Sequence, residues 1–363
     1  MEIKWSAAAL AVMTGLAYGK SSVTLYGIVD TGVSYYNHAA ANGATSIGMP
    51  LPTGELPSRW GMRGTEDLGG GYKTFFVLES GFQSSTGALN YGGRIFGRQA
   101  NVGISSDYGS LTLGRQYNMT TYVLTNADVI GPSIHSLNNL DPYLPNARSD
   151  NAIGYLGKFN GVTVGSTYSF GRDAAGPAGP SATNCAGQVP GNALPCRQYT
   201  MLLAYDSATF GMAASYDVSR GGAGASAPLG NSAYTSTHNV VDGYFMLGPT
   251  KLGVGWIRNN TAAATHLQTD ILFAGATYYS TPAFFIDAEA VRYLQRGASG
   301  QNDANSTLLI ARVNYLFSKR TTAYTSVGYI FNSAQARNAV AAGGTVETGM
   351  NQLGVMVGLL HRF

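Results

Sequence analysis

The chain has 363 residues, a formal net charge of +3, and only 11% charged residues against 45% hydrophobic ones. Soluble domains carry about 25% charged residues; here the deficit is filled by 48 Gly, 23 Tyr and small polar residues. The weak charge, with no long Lys/Arg run, excludes a nucleic-acid-binding stripe, and no apolar run of about 18 residues follows the N-terminus, which excludes a helical membrane protein.

In chain order, the N-terminus reads as an export signal. Lys4 supplies a positive start, Trp5 to Leu16 is short and mostly apolar, and Ala17-Tyr18-Gly19 has small residues at a cleavage spacing. The expected organisation is a signal peptide over 1–19 and one domain over 20–363. After it, about ten residues of alternation followed by a turn recur to the end of the chain. In "SVTLYGIVDTGVSYY", Val23, Leu25, Val29, Val33 and Tyr35 share one face, opposite Thr24, Asp30 and Ser34. In "VTVGSTYSF", Val162, Val164, Tyr168 and Phe170 oppose Thr163, Thr167 and Ser169. In "LIARVNYLF", Leu309, Ala311, Val313, Tyr315 and Phe317 oppose Arg312 and Asn314. The final segment sets Leu353, Val355, Val357, Leu359, His361 and Phe363 against Gln352, Gly354, Gly358 and Arg362. A period of two means strand.

Short turns fall at 68–71, 107–109, 160–161, 207–211, 247–250, 280–283 and 317–321. Longer polar loops lie near 38–57, 82–95, 117–147, 171–197, 220–237, 259–267, 295–305 and 333–350. Seven short turns and eight long loops predict sixteen strands. The fourth loop holds the two cysteines, Cys185 and Cys196. In an exported chain they predict a disulfide, which loop-entropy models value at roughly 3 kcal/mol.

The class expected is all-β: a transmembrane antiparallel 16-stranded β-barrel. Backbone amides in lipid must all be paired, and among sheets only a closed barrel achieves that. A soluble sandwich would turn Lys and Glu outward from its strands. Here the second face is Gly, Ser, Thr, Asn and Tyr, which suits a wet lumen, and aromatics recur near strand ends as in interfacial girdles.

At this point "SSVTLYGIVDTGVSYY", "SRWGMRGTEDLGGGYKTFFVLESGFQ", "FGRQANVGISSDYGSLTLGRQYN", "ARSDNAIGY" and the closing "GLLHRF" resemble the trimeric general porins of Gram-negative bacteria, beta-proteobacterial type. The resemblance runs from about residue 21 to the last residue. It implies an outer-membrane location and a water-filled channel for passive diffusion of ions and small hydrophilic solutes. It implies a homotrimer surrounded by outer-membrane lipid and lipopolysaccharide. It also implies an inward-folded third extracellular loop, here 117–147 with Asp128, Asp141, Tyr122 and Tyr143. The arginine ladder of the family falls on Arg59, Arg98 and Arg148, with Glu79 as a lumen carboxylate beside it. Phe363 resembles the assembly signal read by the barrel-assembly machinery. Arg115 follows the outward Leu111 and Leu113, and the resemblance puts it at the trimer interface.

Alternation agrees for Arg59, which shares a face with Arg63, and for Arg148, which shares one with Asp150 and Lys158. For Arg98 it conflicts: an inward Arg98 would turn Gln99 and Asn101 outward and Val102 and Ile104 inward. Arginines on one wall facing few acids predict a mild anion preference, which Asp30 and Asp150 would weaken. A substrate-selective channel using Tyr117, Tyr122 and Tyr143 is the alternative, as is a plugged structural barrel. No G-x-S-x-G or H-E-x-x-H is present, and "GGGYKT" lacks the order of a phosphate loop; neither an enzyme nor a cofactor or metal is expected.

Overall fold

The computed structural model describes residues 21–363 apart from 41, 52, 173–184 and 298–302. The expected signal peptide lies outside the described residues. The chain begins with β1 (Ser22–Tyr36) and a three-residue strand β2 (Ser46–Gly48). There follow β3 (Arg59–Gly69), β4 (Tyr72–Gly81), β5 (Gln99–Ser106) and β6 (Gly109–Tyr117). One helix, α1 (Met119–Ala127), precedes β7 (Arg148–Phe159), β8 (Val162–Ser169), β9 (Gln198–Asp206) and β10 (Phe210–Arg220). Then come β11 (Thr235–Leu247), β12 (Thr250–Ala262), β13 (His266–Thr281) and β14 (Phe284–Arg296). The last are β15 (Ser306–Leu316), β16 (Thr321–Asn332) and β17 (Gln352–Arg362).

Apart from β2, which pairs only with the last three residues of β1, these strands form a closed antiparallel ring of sixteen. The ring is sealed by β1, which pairs β3 through its first half (Ser22↔Thr65 to Ile28↔Arg59) and β17 through its second (Ile28↔Arg362 to Tyr36↔Gly354). The seam ends at the C-terminus: the Gly27 and Phe363 amides each donate to the other's carbonyl, at 3.2 and 3.1 Å. The Phe363 ring lies over Gly27, where any Cβ would collide with it. A closed ring leaves no unpaired edge in hydrocarbon.

The alternation separates lipid from lumen as expected. Val23, Leu25, Val33 and Val357 are more than half exposed on the outside, whereas Ser34, Asn314 and Gln352 are buried on the inside. Aromatic pairs mark both rims. Tyr168–Phe170, Tyr199–Tyr216 and Tyr329–Phe331 lie toward the loops; Tyr205–Phe210, Tyr279–Phe285 and Tyr315–Phe317 lie toward the short turns. Cys185 and Cys196 are joined, with Cα atoms 5.2 Å apart.

One loop expectation is corrected. The segment 259–267 is not a long loop: β12 and β13 run through it, paired from Arg258↔Asp270 to Ala262↔His266, and only 263–265 connects them. Its polar composition reflects a hairpin that projects beyond the bilayer, where both faces are wet.

The lumen is not uniformly polar. The inner faces of β11 to β17 carry buried Val240, Ile257, Ile271, Leu308, Ile330 and Met356. They form one cluster with Ile130, Ile134, Leu137 and Leu140 of the third loop. That loop therefore folds inward and packs an apolar face on the wall. Glycines make room for it. Gly253 pairs Gly275, and the same ladder level continues through Glu289 and Ile310 to Gly328 and Gly354. A Cβ on Gly253 would collide with the Ala127 carbonyl; one on Gly275 would come within 2.5 Å of Val129, and one on Gly354 within 2.6 Å of His135. The loop lies in a trench cut by missing side chains.

Candidate pore constriction

The third loop leaves β6 at Tyr117 and runs along β8 to β12 as α1, burying Met119, Thr120, Val123 and Ala127. It then crosses to β15 and β16, where Arg312 donates to the carbonyls of Ile130 (3.0 Å) and Val129 (3.3 Å), and where His135 meets Ser326. On its return, the Tyr143 hydroxyl bonds to Asp217 of β10, which also accepts from the Thr120 hydroxyl of α1. The loop thus covers β8 to β17. The arc it leaves open carries the arginines.

On that arc, Arg98 Nε donates to Glu79 Oε1 at 2.6 Å, and Arg59 Nε stands 4.0 Å from Glu79 Oε2. Arg98 also donates to the hydroxyls of Tyr91 (2.9 Å) and Tyr117 (2.7 Å). The Arg148 guanidinium stacks between the same two rings, 5.1 Å from Tyr91 and 4.6 Å from Tyr117. Planar guanidinium stacks on aromatic faces while keeping its charge. Next to them, Asp150 accepts from Arg115 Nη1 (2.5 Å) and Arg94 Nη1 (3.4 Å). Five guanidiniums meet two carboxylates. The local field is read by Tyr91 in the second loop: burial pushes its phenol up, yet Arg148, Arg98 and Arg115 together hold it below its ordinary value. The Nε atoms of Arg148 and Arg172 are buried without a hydrogen-bond partner among the described residues. Tyr122 of α1 meets Tyr117 edge to face at 6.4 Å, so the loop helix departs directly from the arginine wall.

The chain matches the Gram-negative porin family over residues 6–335.

It belongs to that family.

Outer membrane porin protein 32 of Delftia acidovorans is 30% identical over 99% of this chain and 100% of its own length. An outer membrane porin protein of Bordetella pertussis is 34% identical over 58% of each chain, so the match spans little more than half of that relative. Among solved structures, the anion-selective porin from Comamonas acidovorans shares the fold with a TM-score of 0.78 at 24% identity, over 95% of this chain and 100% of that one. The protein is an outer-membrane β-barrel channel of that family.

For this porin, Arg59, Arg98, Arg148 and Glu79 converge on one patch. The conflict at Arg98 has a local cause. Glu79 is the ladder partner of Gln99, and its carbonyl also accepts the Arg98 amide at 3.1 Å. Two residues thus oppose one, as in a bulge. Gln99 and Asn101 face inward, Val102 and Ile104 outward, and Arg98 still reaches Glu79. Strict alternation could not find this.

Asp128 and Asp141 do not face the arginines. Asp128 accepts the amides of Ile130 (3.1 Å) and Gly131 (2.7 Å) and lies beside Glu289; burial pushes its carboxyl up, against the pull of these hydrogen bonds. Asp141 caps the Tyr143 amide and accepts from His238 at 3.0 Å, which, against burial, holds it below the usual carboxylate range. Both acids shape and anchor the loop. Arg115 is met within its own chain: Asp150 accepts from its guanidinium, and its Nε donates to the Gly97 carbonyl at 2.7 Å. A register shift at Gly114–Gln116 on β6 and a left-handed Asn151 on β7 let the two approach. No second subunit is needed to neutralise it. Asp30 likewise leaves the pore, bonded to Tyr324 (2.6 Å) and the Leu56 amide (2.6 Å).

The residues that sequence reasoning missed are Tyr91, Arg94 and Arg312. Alternation puts Arg312 on the inward face but shows nothing of its partners. It pairs with Asp287 at 2.8 Å and lies 3.7 Å from Glu55.

Proposed function

We propose that this porin conducts small hydrophilic solutes past a constriction formed by the wall residues Arg59, Arg98, Arg148 and Glu79 on one side and the third loop on the other, with a mild preference for anions. The excess of guanidinium over carboxylate on the open arc carries this reading. Asp128 and Asp141 enter it as anchors that set the loop's position. Arginine holds its charge at any working pH, and a ring of one sign sets ion preference. The solved Comamonas fold neighbour is described as anion-selective, in keeping with that sign.

The assembly read here is a homotrimer in outer-membrane lipid and lipopolysaccharide. A fold neighbour from Vibrio cholerae, 15% identical with a TM-score of 0.66, is described in a trimer form. Residues 1–19 would serve as the export signal, and Phe363, at the barrel seam, as the signal for the barrel-assembly machinery. No catalytic step is invoked.

The test is the reversal potential of single channels in a KCl gradient. An anionic sign is expected. A cationic sign sinks the charge reading but not the channel. Substitution Arg148→Gln should move the potential toward zero.

A further inference from the structure

Among the described residues, outward charges on the loop-side half of the barrel gather on β12 to β14; elsewhere at that rim Arg197, before β9, is covered by the rings of Tyr168 and Phe170. On β13, Ile271 and Phe273 are buried inward and Leu272 is exposed outward, which puts Asp270 on the lipid side; its ladder partner Arg258 on β12 shares that face. On β14, Glu289, Val291 and Tyr293 face inward, so Arg292 and Arg296 face out. Arg258 and Asp270 satisfy each other at 2.8 Å, with the Trp256 indole donating to the same carboxylate at 2.9 Å. Arg292 and Arg296 have no such partner. The Arg292 side chain donates only to the Thr307 hydroxyl at 2.7 Å, and the Arg296 side chain makes no hydrogen bond or ion pair among the described residues. Both are exposed.

Their level is defined. The ladder puts Trp256, Leu272, Arg292 and Thr307 in one row that continues to Phe331, an outward aromatic at the loop-side rim. Arg296 stands four residues further out, about 13 Å along the strand. These cations therefore stand at and just beyond the loop-side girdle, where polar headgroups begin. An exposed pair of cations at this height faces the headgroup layer, where anionic groups attract each cation by about 1 kcal/mol. By contrast, β1 and β15 to β17 present no Asp, Glu, Lys or Arg on their outward faces between the rims.

We propose that Arg292 and Arg296 bind phosphate groups of the glycolipid that fills the outer leaflet, with the Arg258–Asp270–Trp256 cluster as a rigid shoulder beside them. Two planar forks four residues apart on one face suit two phosphates of one headgroup. The site sits outside the pore and leaves conductance to the residues within. The inference rests on the outer-membrane location of the barrel.

Trp256 reports on the site directly. In a chain that starts at residue 20 and carries Trp60→Phe, so that Trp256 is its one tryptophan, lipopolysaccharide should change the fluorescence of the detergent-purified protein saturably. R292Q/R296Q should weaken that binding by about thirtyfold, the effect of two cations at a lipid surface. Enzymatically dephosphorylated lipopolysaccharide should bind the parent as weakly as the intact glycolipid binds the double variant. Equal affinity of parent and variant, or equal binding of the dephosphorylated glycolipid, overturns the proposal. Saturation by millimolar inorganic phosphate with the same residue dependence assigns the site to free anions and overturns the lipid assignment. A change in oligomeric state in the variant assigns the face to a subunit contact and does the same. Planar-bilayer conductance of R292Q/R296Q should match the parent; its loss would implicate the barrel itself rather than the lipid site.

Discussion

Gly253 on β12 lies directly beneath the carbonyl of Ala127, the last residue of the loop helix, and has no room for a Cβ. The contact fixes how deep the third loop sits. Gly253→Val should force the loop off its trench and toward the opposite wall. The atoms nearest the new Cβ all belong to Ala127 of the loop and none to a neighbouring strand, so heat-resistant folding on gels should persist. Single-channel conductance should drop or split into substates. Unaltered conductance would show that the loop position does not set the pore.

Arg312 joins the wall acid Asp287 to two loop carbonyls. Arg312→Met leaves Asp287 a buried charge without its cation, a change that typically costs about 3–5 kcal/mol. The thermal transition of the detergent-solubilised protein should fall clearly, and current noise should rise as the loop loosens. Arg312→Lys should recover only part, because one ammonium cannot serve both partners in a fixed fork.

His135 gives a pH signature. Burial in the loop–wall seam pushes its imidazole down to about 4, so the folded protein keeps it neutral. The unfolded chain takes up a proton near pH 6.5. The stability from the neutral ring is therefore complete above about 6.5 and is lost as pH falls toward 4, by roughly 3 kcal/mol at most. Melting temperatures at pH 7 and pH 4.5 should differ less in His135→Asn than in the parent. An identical difference in both would assign the pH dependence to other groups.

Anion preference should depend on salt. Exposed charges are screened beyond about 10 Å at 0.1 M salt and beyond about 3 Å at 1 M. The permeability ratio from reversal potentials should therefore be larger in dilute KCl gradients. A ratio independent of ionic strength would point to a narrow binding site instead of a diffuse field, which would favour the substrate-selective alternative.

The seam predicts an assembly defect. Gly27→Val would drive a side chain into both the Phe363 ring and the Arg59 carbonyl. The fraction of protein that reaches the heat-modifiable folded form should fall sharply. Phe363→Ala removes the ring without the clash and should slow insertion while leaving the folded barrel's melting nearly unchanged. Unimpaired assembly of Phe363→Ala would remove the terminal residue from the recognition role.

The period-two pattern, the short turns, the disulfide pair and the inward arginines Arg59 and Arg148 were legible from residue order alone. The physical reason is that a strand with lipid on one side and water on the other must alternate, whatever it does. Three features were decided only by the folded chain. The doubled residue opposite Glu79 turns Arg98 inward against its parity, and parity is blind to an inserted residue. Asp128 and Asp141 look like free pore acids in a loop sequence, yet their partners Glu289 and His238 come from β14 and β11, more than ninety residues away. The trench of Gly253, Gly275, Gly328 and Gly354 reads as four unremarkable strand glycines until the barrel closes and brings them to one level. Local chemistry sets which way a side chain points; closure of the ring sets what it meets there.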